Sequence, residues 1–295
     1  MPLNYEAVNA SESPNPPYFD VLLDRIAAGD REAVTAFGRH VHWGLWDSPG
    51  AADGSAADYL QAAERMCQRI CDAAKIQPPA RIADVGCGFG GTIASLNERY
   101  QSLAMTGINI DPRQLQRAAE QVVPAADNQI QWTCADAASL PLDDAAFDAV
   151  LAVECIFHFD RPRFFAEASR ILRPGGVLSL SDFVPQPQMA DFMTGGAGAM
   201  SEAIRWTYGD VDMSCSLDGY EQLAAENGMR LLACEDVTEQ TLPTYDFLCE
   251  GAQRWHDRHH AELFLQATGW LRKASRKKLI RYLILSFEKL GDRSC

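Results

Sequence analysis

Arg81-Ile82-Ala83-Asp84-Val85-Gly86-Cys87-Gly88-Phe89-Gly90-Gly91 decides the fold, because a short apolar strand runs straight into a glycine-dense turn that opens a helix. Without a Cβ at 86, 88 and 90 the backbone can take positive φ and lie against a bound molecule, while the helix N-terminus offers unpaired N–H groups. Gly86-x-Gly88-x-x-Gly91 also satisfies the dinucleotide fingerprint, which is a weak signal by itself. The flanking residues must therefore say which nucleotide-like cofactor such a turn carries.

Outward from the turn, strand-like and helix-like runs alternate. Strands are expected near 81–85, 104–110, 130–134, 147–153 and 176–182, and helices near 91–100, 112–123 and 162–172. Such alternation predicts an α/β fold, with a mostly parallel sheet and right-handed crossovers. Residues 216–228 read as helix, 229–236 as a sixth strand, 246–277 as an inserted helical segment and 282–289 as the last strand. Upstream, 1–17 reads as a flexible leader broken by Pro14, Pro16 and Pro17. A helix follows from about Asp20 to Ala28, a loop from Asp47 to Ser55, and an Ala-rich helix at 56–75 ends before Pro78 and Pro79. The span 184–215, with Gly195-Gly196-Ala197-Gly198, Trp206 and Tyr208, breaks the rhythm and reads as a mobile cap over the strand ends.

Four pieces stand in order: "RIADVGCGFGG" at 81–91, "TGINIDPRQL" at 106–115, "WTCADAASLPL" at 132–142, and "FDAVLAVECIFHF" followed by "ILRPGGVLSLSDF" within 147–183. Jointly they resemble the seven-stranded, class I S-adenosylmethionine (SAM) dependent methyltransferases. "YFD" at 18–20 and "HVHWGLWD" at 40–47 look more loosely like the N-terminal lid of the small-molecule and lipid subgroup, which includes tocopherol-, sterol- and macrolide- or glycoside-modifying enzymes. The resemblance implies a doubly wound, Rossmann-like seven-stranded sheet, with a helical N-terminal lid and cap insertions. It divides one domain into leader and lid at 1–60, a SAM-binding core at 61–183, and cap insertions plus the rest of the sheet at 184–295.

For the cofactor, the resemblance implies Asp84, Gly86, Gly88 and Gly90 around the methionine part of SAM. An acid usually meets the ribose at the end of the second strand, and here Asn109, Ile110 and Asp111 occupy that region. Asn109 departs from the pattern. Asp111, directly before Pro112, suits a helix N-cap equally well. Asp136 and Ala137 are implied at the adenine. Tyr18, Trp43 and Trp46 are expected to close over the cofactor, offering aromatic faces to the sulfonium, with a core-anchoring role as the equal alternative for either tryptophan.

Methyl transfer needs alignment and, for a hydroxyl or acidic carbon, a base. Glu154 and His158, as Glu-Cys-Ile-Phe-His after the fourth strand, match the subgroup's usual Glu-x-x-x-His. His158 is the candidate base or orienter, against a packing role between Phe157 and Phe159. Glu154 is expected to orient it or to touch the cofactor, and Asp182 in "SLSDF" either assists or closes a turn. Two other patterns attract attention. His256, His259 and His260 have helical metal-ligand spacing but lack a companion carboxylate or cysteine pattern. Arg272, Lys273, Arg276, Lys277 and Lys278 form a basic run of the kind that is usually a solvated face.

Forty acidic against 26 basic residues give a net charge of -14, which disfavours nucleic acid and anionic membrane surfaces as partners. Nine scattered cysteines without a CxxC pair or secretory signal point to reduced thiols in the cytoplasm. No apolar run approaches the roughly 20 residues of a membrane span. The expected partner is a small, hydrophobic acceptor, the expected cofactor SAM, with no metal; the oligomeric state stays open. Oxygen is favoured over carbon as the nucleophile. A SAM-binding fold recruited for a non-methylating role, or a NAD-type oxidoreductase, are the competing readings.

Overall fold

The computed structural model describes residues 17–189 and 197–291, with the side chains of 17, 18 and 197–201 outside the description. Residues 1–16 of the expected leader, and Gly195 and Gly196 of the expected cap, lie outside it, while Pro17, the leader's last residue, opens the first helix.

Seven strands form one sheet in the order β3-β2-β1-β4-β5-β7-β6: β1 (Ala80–Val85), β2 (Leu103–Asn109), β3 (Gln129–Cys134), β4 (Phe147–Val153), β5 (Leu172–Pro185), β6 (Met229–Asp236) and β7 (Ile280–Lys289). The first five are parallel, and β7 runs antiparallel to both β5 and β6. The winding direction reverses between β1 and β4. In an open α/β sheet the ligand crevice lies outside the strand C-termini at such a reversal. The register brings Val85 beside Ile108 and Val153 beside Ser181, so the expected site residues leave the sheet at one edge.

The helices are α1 (Pro17–Ala27), α2 (Arg31–Phe37), α3 (Ala56–Ala73), α4 (Gly91–Arg99), α5 (Pro112–Gln121), α6 (Arg161–Ile171), α7 (Ala197–Tyr208), α8 (Leu217–Glu226), α9 (Thr238–Gln253) and α10 (Arg258–Arg276). Short polar side chains start many of them: Asp30, Ser55, Asp111, Asp160, Ser216 and Asp257 each accept a backbone N–H of the first turn. One face of the sheet packs Phe164, Phe165, Tyr220 and Phe287 with the buried residues of β1 and β4. The other packs Met66, Ile70, Tyr245, Leu271 and Ile284.

Three expectations change. The single helical segment at 246–277 is two helices, α9 and α10, broken at Arg254 to Asp257. α9 begins eight residues early because Pro243 is tolerated inside it; proline there removes one i→i−4 bond, which the sequence reads as a stop. β5 starts at Leu172 rather than 176, and α2 stands where no helix was expected. Among the described residues no helix is long and apolar enough to cross a membrane.

Candidate active site

A cavity of about 530 Å³ opens at the C-terminal ends of β1, β2 and β4. Its size falls in the ~300–1,000 Å³ range of small-molecule and cofactor pockets. Gly86, Gly88, Asn109, Ile110, Asp111, Asp136, Ala137, Glu154 and His158, all expected from sequence, line it together. Asp84, Gly90, Trp43 and Asp182 do not.

Gly88, with φ of 54°, has open space where a Cβ would project, the nearest atom being Gln114 Oε1 at 3.8 Å. Gly90 differs. A Cβ there would meet Trp132 and Ala118 at 2.8 and 2.9 Å, so Gly90 serves the packing of the turn rather than the cavity surface. Asp84 sits fully buried beneath the turn, with no hydrogen-bond partner for either carboxylate oxygen. Burial pushes its pKa up to about 7, and the nearby Thr92 hydroxyl offsets this only in part. Neither oxygen makes a well-formed hydrogen bond, so acceptor capacity is left over below the cavity.

At the end of β2, the Asn109 side-chain oxygen accepts the Ile110 N–H at 3.0 Å, while its amide donates to Gln114 Oε1 at 3.0 Å. Asp111 takes both roles read from the sequence. It lines the cavity, and it caps α5 by accepting the Arg113 N–H at 2.9 Å. The Arg113 guanidinium pairs with it at 2.9 Å. Asp136 is exposed at the far end and accepts the Ala138 N–H at 2.8 Å, beside buried Ala137. Gln114 was missed. The Asp111-x-x-Gln114 spacing marks it as a capping partner, not as a cavity wall.

Glu154 occupies the first position after β4 with φ of 51°, a left-handed conformation that costs a non-glycine residue energy and collects at functional sites. Its N–H donates to Ser181 Oγ at 3.0 Å; its Oε2 accepts the Trp43 N–H at 2.9 Å and the Tyr282 hydroxyl. Burial raises its pKa to about 8 against the pull of those two donors. Tyr282, from β7, carried no sequence signal. It also shares a hydrogen bond with Ser181 Oγ at 3.1 Å.

His158 ends a short 3-10 turn (Ile156–His158). Its ring is exposed to the cavity yet closely walled by protein, and desolvation pushes its pKa down to about 4, with the Asp210 backbone carbonyl favouring the protonated form. The imidazole is therefore neutral around pH 7, with a lone pair available. Phe157 packs edge-on against it at 4.5 Å between ring centres.

Asp182 is drawn into a different network. Fully buried, it accepts from Arg161 Nη2 at 2.9 Å and from the Tyr220 hydroxyl, away from the cavity surface. Trp43 keeps only its backbone near the site. Its ring packs on Phe183, Tyr208 and Tyr245 in the core, and Trp46 likewise is buried, its indole N–H donating to Asp58 at 2.8 Å. Tyr18 lies on α1 with its side chain outside the described residues. His40 and His42 sit in a loop and touch each other at 3.2 Å, His40 reaching Glu64 at 2.8 Å. Among the described residues no group of His, Cys, Asp or Glu could hold a metal, the 256–260 histidines included. Arg272 and Arg276 both pair with Asp246, and Lys278 pairs with Glu239.

The family model described as "Methyltransferase domain" matches residues 83–180. The chain is 30% identical to 27-O-demethylrifamycin SV methyltransferase of Amycolatopsis mediterranei (strain S699), over 86% of this chain and 91% of that one. It is 32% identical to the methyltransferase GfsG of Streptomyces halstedii, over 70% and 72%. The solved structure of the [4+2]-cyclase SpnF superposes with a TM-score of 0.70 at 22% identity, covering 95% of this chain and 98% of that one. The chain belongs to the class I SAM-dependent methyltransferases, and SAM is its cofactor. The cavity suits that group: an uncrowded Gly88 on its surface, the Asp84 carboxylate beneath the turn, and polar side chains at the ends of β2 and β3.

Proposed function

We propose that this methyltransferase moves the methyl group of SAM to an oxygen of a small, largely apolar natural product or lipid-like acceptor, with His158 receiving the acceptor proton. One observation carries the reading. His158, Phe159, Asp160 and Asp210 line both the cofactor cavity and a second, more open cavity of about 750 Å³. Phe157, Met189, Ile204, Val211, Met213 and Trp270 give that second chamber an apolar wall. The relative that acts on 27-O-demethylrifamycin SV supports both a natural-product acceptor and oxygen as the site of methylation.

SAM supplies a methyl carbon on a positively charged sulfur, which leaves as a neutral thioether. Glu154, Gly86 and Gly88 would lie along the methionine part, Asn109 and Gln114 at the ribose, and Asp136 with Ala137 at the adenine. The remaining requirements fall to the chain itself. Holding the two bound molecules in contact beside one shared side chain makes a bimolecular reaction effectively intramolecular. The neutral imidazole accepts the hydroxyl proton as the oxygen–carbon bond forms, a contribution worth about 10²–10⁴ in rate.

Purified protein incubated with SAM labelled with ¹³C at the methyl, and with a panel of hydroxylated polyketides, phenols and isoprenoid alcohols, tests the reading. Product ¹³C shifts separate O–CH₃ from C–CH₃. The [4+2]-cyclase neighbour favours a second reading, in which SAM is held without being cleaved. That reading requires acceptor conversion with no S-adenosylhomocysteine (SAH) formed.

A further inference from the structure

Arg161, the first residue of α6, is only 3% exposed and gives four hydrogen bonds from one guanidinium. Nε donates to the Tyr220 hydroxyl at 2.9 Å and Nη2 to Asp182 Oδ2 at 2.9 Å. Nη1 donates to Asp212 Oδ2 at 2.6 Å, and Nη2 also reaches the Asp212 carbonyl at 2.6 Å. Tyr220 and Asp182 belong to α8 and β5, so half of the fork is anchored in the core. The other half grips the chain that follows α7. There Gly209 turns with φ of 76°, and the Asp212 N–H donates to the Phe157 carbonyl at 2.8 Å. The 209–214 chain is thus tied to the 156–160 turn at Phe157 and, through Arg161, to the end of β5.

These ties meet at the junction of the two cavities. Asp210 and His158 line both, and Asp212, Met213 and Ser214 line the acceptor side. A planar guanidinium suits this task because its donors are fixed in one fork, whereas a lysine ammonium supplies one point of charge. Both half-networks therefore have to keep one relative position.

We propose that Arg161 is a positioning residue for methyl transfer: acting through Asp212, it holds residues 209–214 against the His158 turn and so fixes the wall that His158 and Asp210 share between the cofactor and acceptor chambers. The proposal rests on the reading of that junction as the methyl-transfer site, but its test does not depend on turnover. If the clamp keeps the Asp210 carbonyl beside the ring, where it favours an N–H on the imidazole, one His158 tautomer should dominate. When the clamp is loosened, both tautomers become populated.

Long-range ¹H–¹⁵N spectra of protein labelled at histidine report tautomers directly, with His158→Gln assigning the signal. Asp212→Ala removes a half-exposed carboxylate and should fold; Arg161→Lys keeps a positive charge beside Asp182 while losing the fork. The expected result is one His158 tautomer in the wild type and a mixture in both variants, with SAH affinity by calorimetry unchanged within about twofold, as for a change away from the cofactor contacts. An unchanged single tautomer in both variants overturns the proposal. So does a tautomer change accompanied by loss of SAH binding, which would mark a general structural role. Should His158→Gln leave methyl transfer intact, the base assignment fails while the clamp still stands on the spectra.

Discussion

Glu154 accepts a hydrogen bond from the Tyr282 hydroxyl at the wall of the cofactor cavity, although 128 positions separate them in sequence. The strand order explains how: β5 pairs with both β4 and β7, placing Ser181 between the two residues and in hydrogen-bond contact with each. Tyr282→Phe leaves the Trp43 N–H as the remaining donor to Glu154 Oε2. The expected cost is about 1–3 kcal/mol, that of a buried acceptor losing a partner. Urea unfolding of the variant measures it, and an unchanged midpoint contradicts it.

Glu154 also makes stability depend on pH. In the folded protein it keeps its proton up to about 8, whereas the unfolded chain releases it near 4.5. The folded state therefore binds more protons in that window, and its stability falls as pH rises through it, by at most about 1.4 kcal/mol per pH unit. Glu154→Gln removes that slope while its amide oxygen still accepts from Trp43 and Tyr282. Thermal scans without cofactor should show variant and wild type close at pH 5 and the variant ahead at pH 8. Parallel curves would contradict the assignment.

Asp84 tests whether the unsatisfied carboxylate serves the cofactor. Its folded pKa of about 7 against the ordinary 3.8 carries the same sign, so Asp84→Asn should stabilise the empty protein above neutral pH. The same change should weaken SAM by roughly tenfold, about 1.4 kcal/mol, if the carboxylate meets the cofactor's ammonium directly or supports the turn. Calorimetry decides between that loss and an affinity equal to the wild type.

The His42, His40 and Glu64 chain has a proton count fixed by its geometry. The Trp43 carbonyl only accepts, so His42 Nδ1 carries hydrogen; His42 is neutral, since burial lowers its pKa to about 3, and its Nε2 accepts from His40 Nδ1. A further proton must then lie between His40 Nε2 and Glu64 Oε2. Burial holds His40 below the ordinary imidazole range against the pull of Glu64, while His40, Ser95 and Arg39 together hold Glu64 at about 2 against its own desolvation. Glu64→Leu should cost about 2–4 kcal/mol by stranding His40. Glu64→Gln, whose amide can donate to a neutral His40, should cost much less. Equal losses in denaturant unfolding would contradict the proton count.

Much of the sheet was legible because a central parallel strand is a short apolar run ended by a turn. β2, β3 and β4 lie within one residue of their expected bounds, and 229–236 matches β6. The cofactor side was legible because its residues follow strand ends directly, so local motif and spatial site coincide. What the sequence hid is non-local. Tyr282 reaches the site from β7, and Arg161, next to the His158 turn, finds its partners on distant elements; nothing in "RYLIL" or "DRPRFF" says that one side chain meets Glu154 and the other Asp182 and Asp212. Asp182 illustrates the converse: its strand-end position suggested the cleft, but a buried guanidinium claims it instead.

The central claim is that a methyl group passes from SAM to an acceptor where the two chambers meet, beside His158. His158→Gln keeps a polar side chain of similar reach but no basic nitrogen, and it is measured by SAH release with an accepted hydroxyl substrate beside SAH calorimetry. A fall in kcat of about 10²–10⁴ with SAH affinity unchanged is the predicted result. Turnover within a few-fold of the wild type would contradict it.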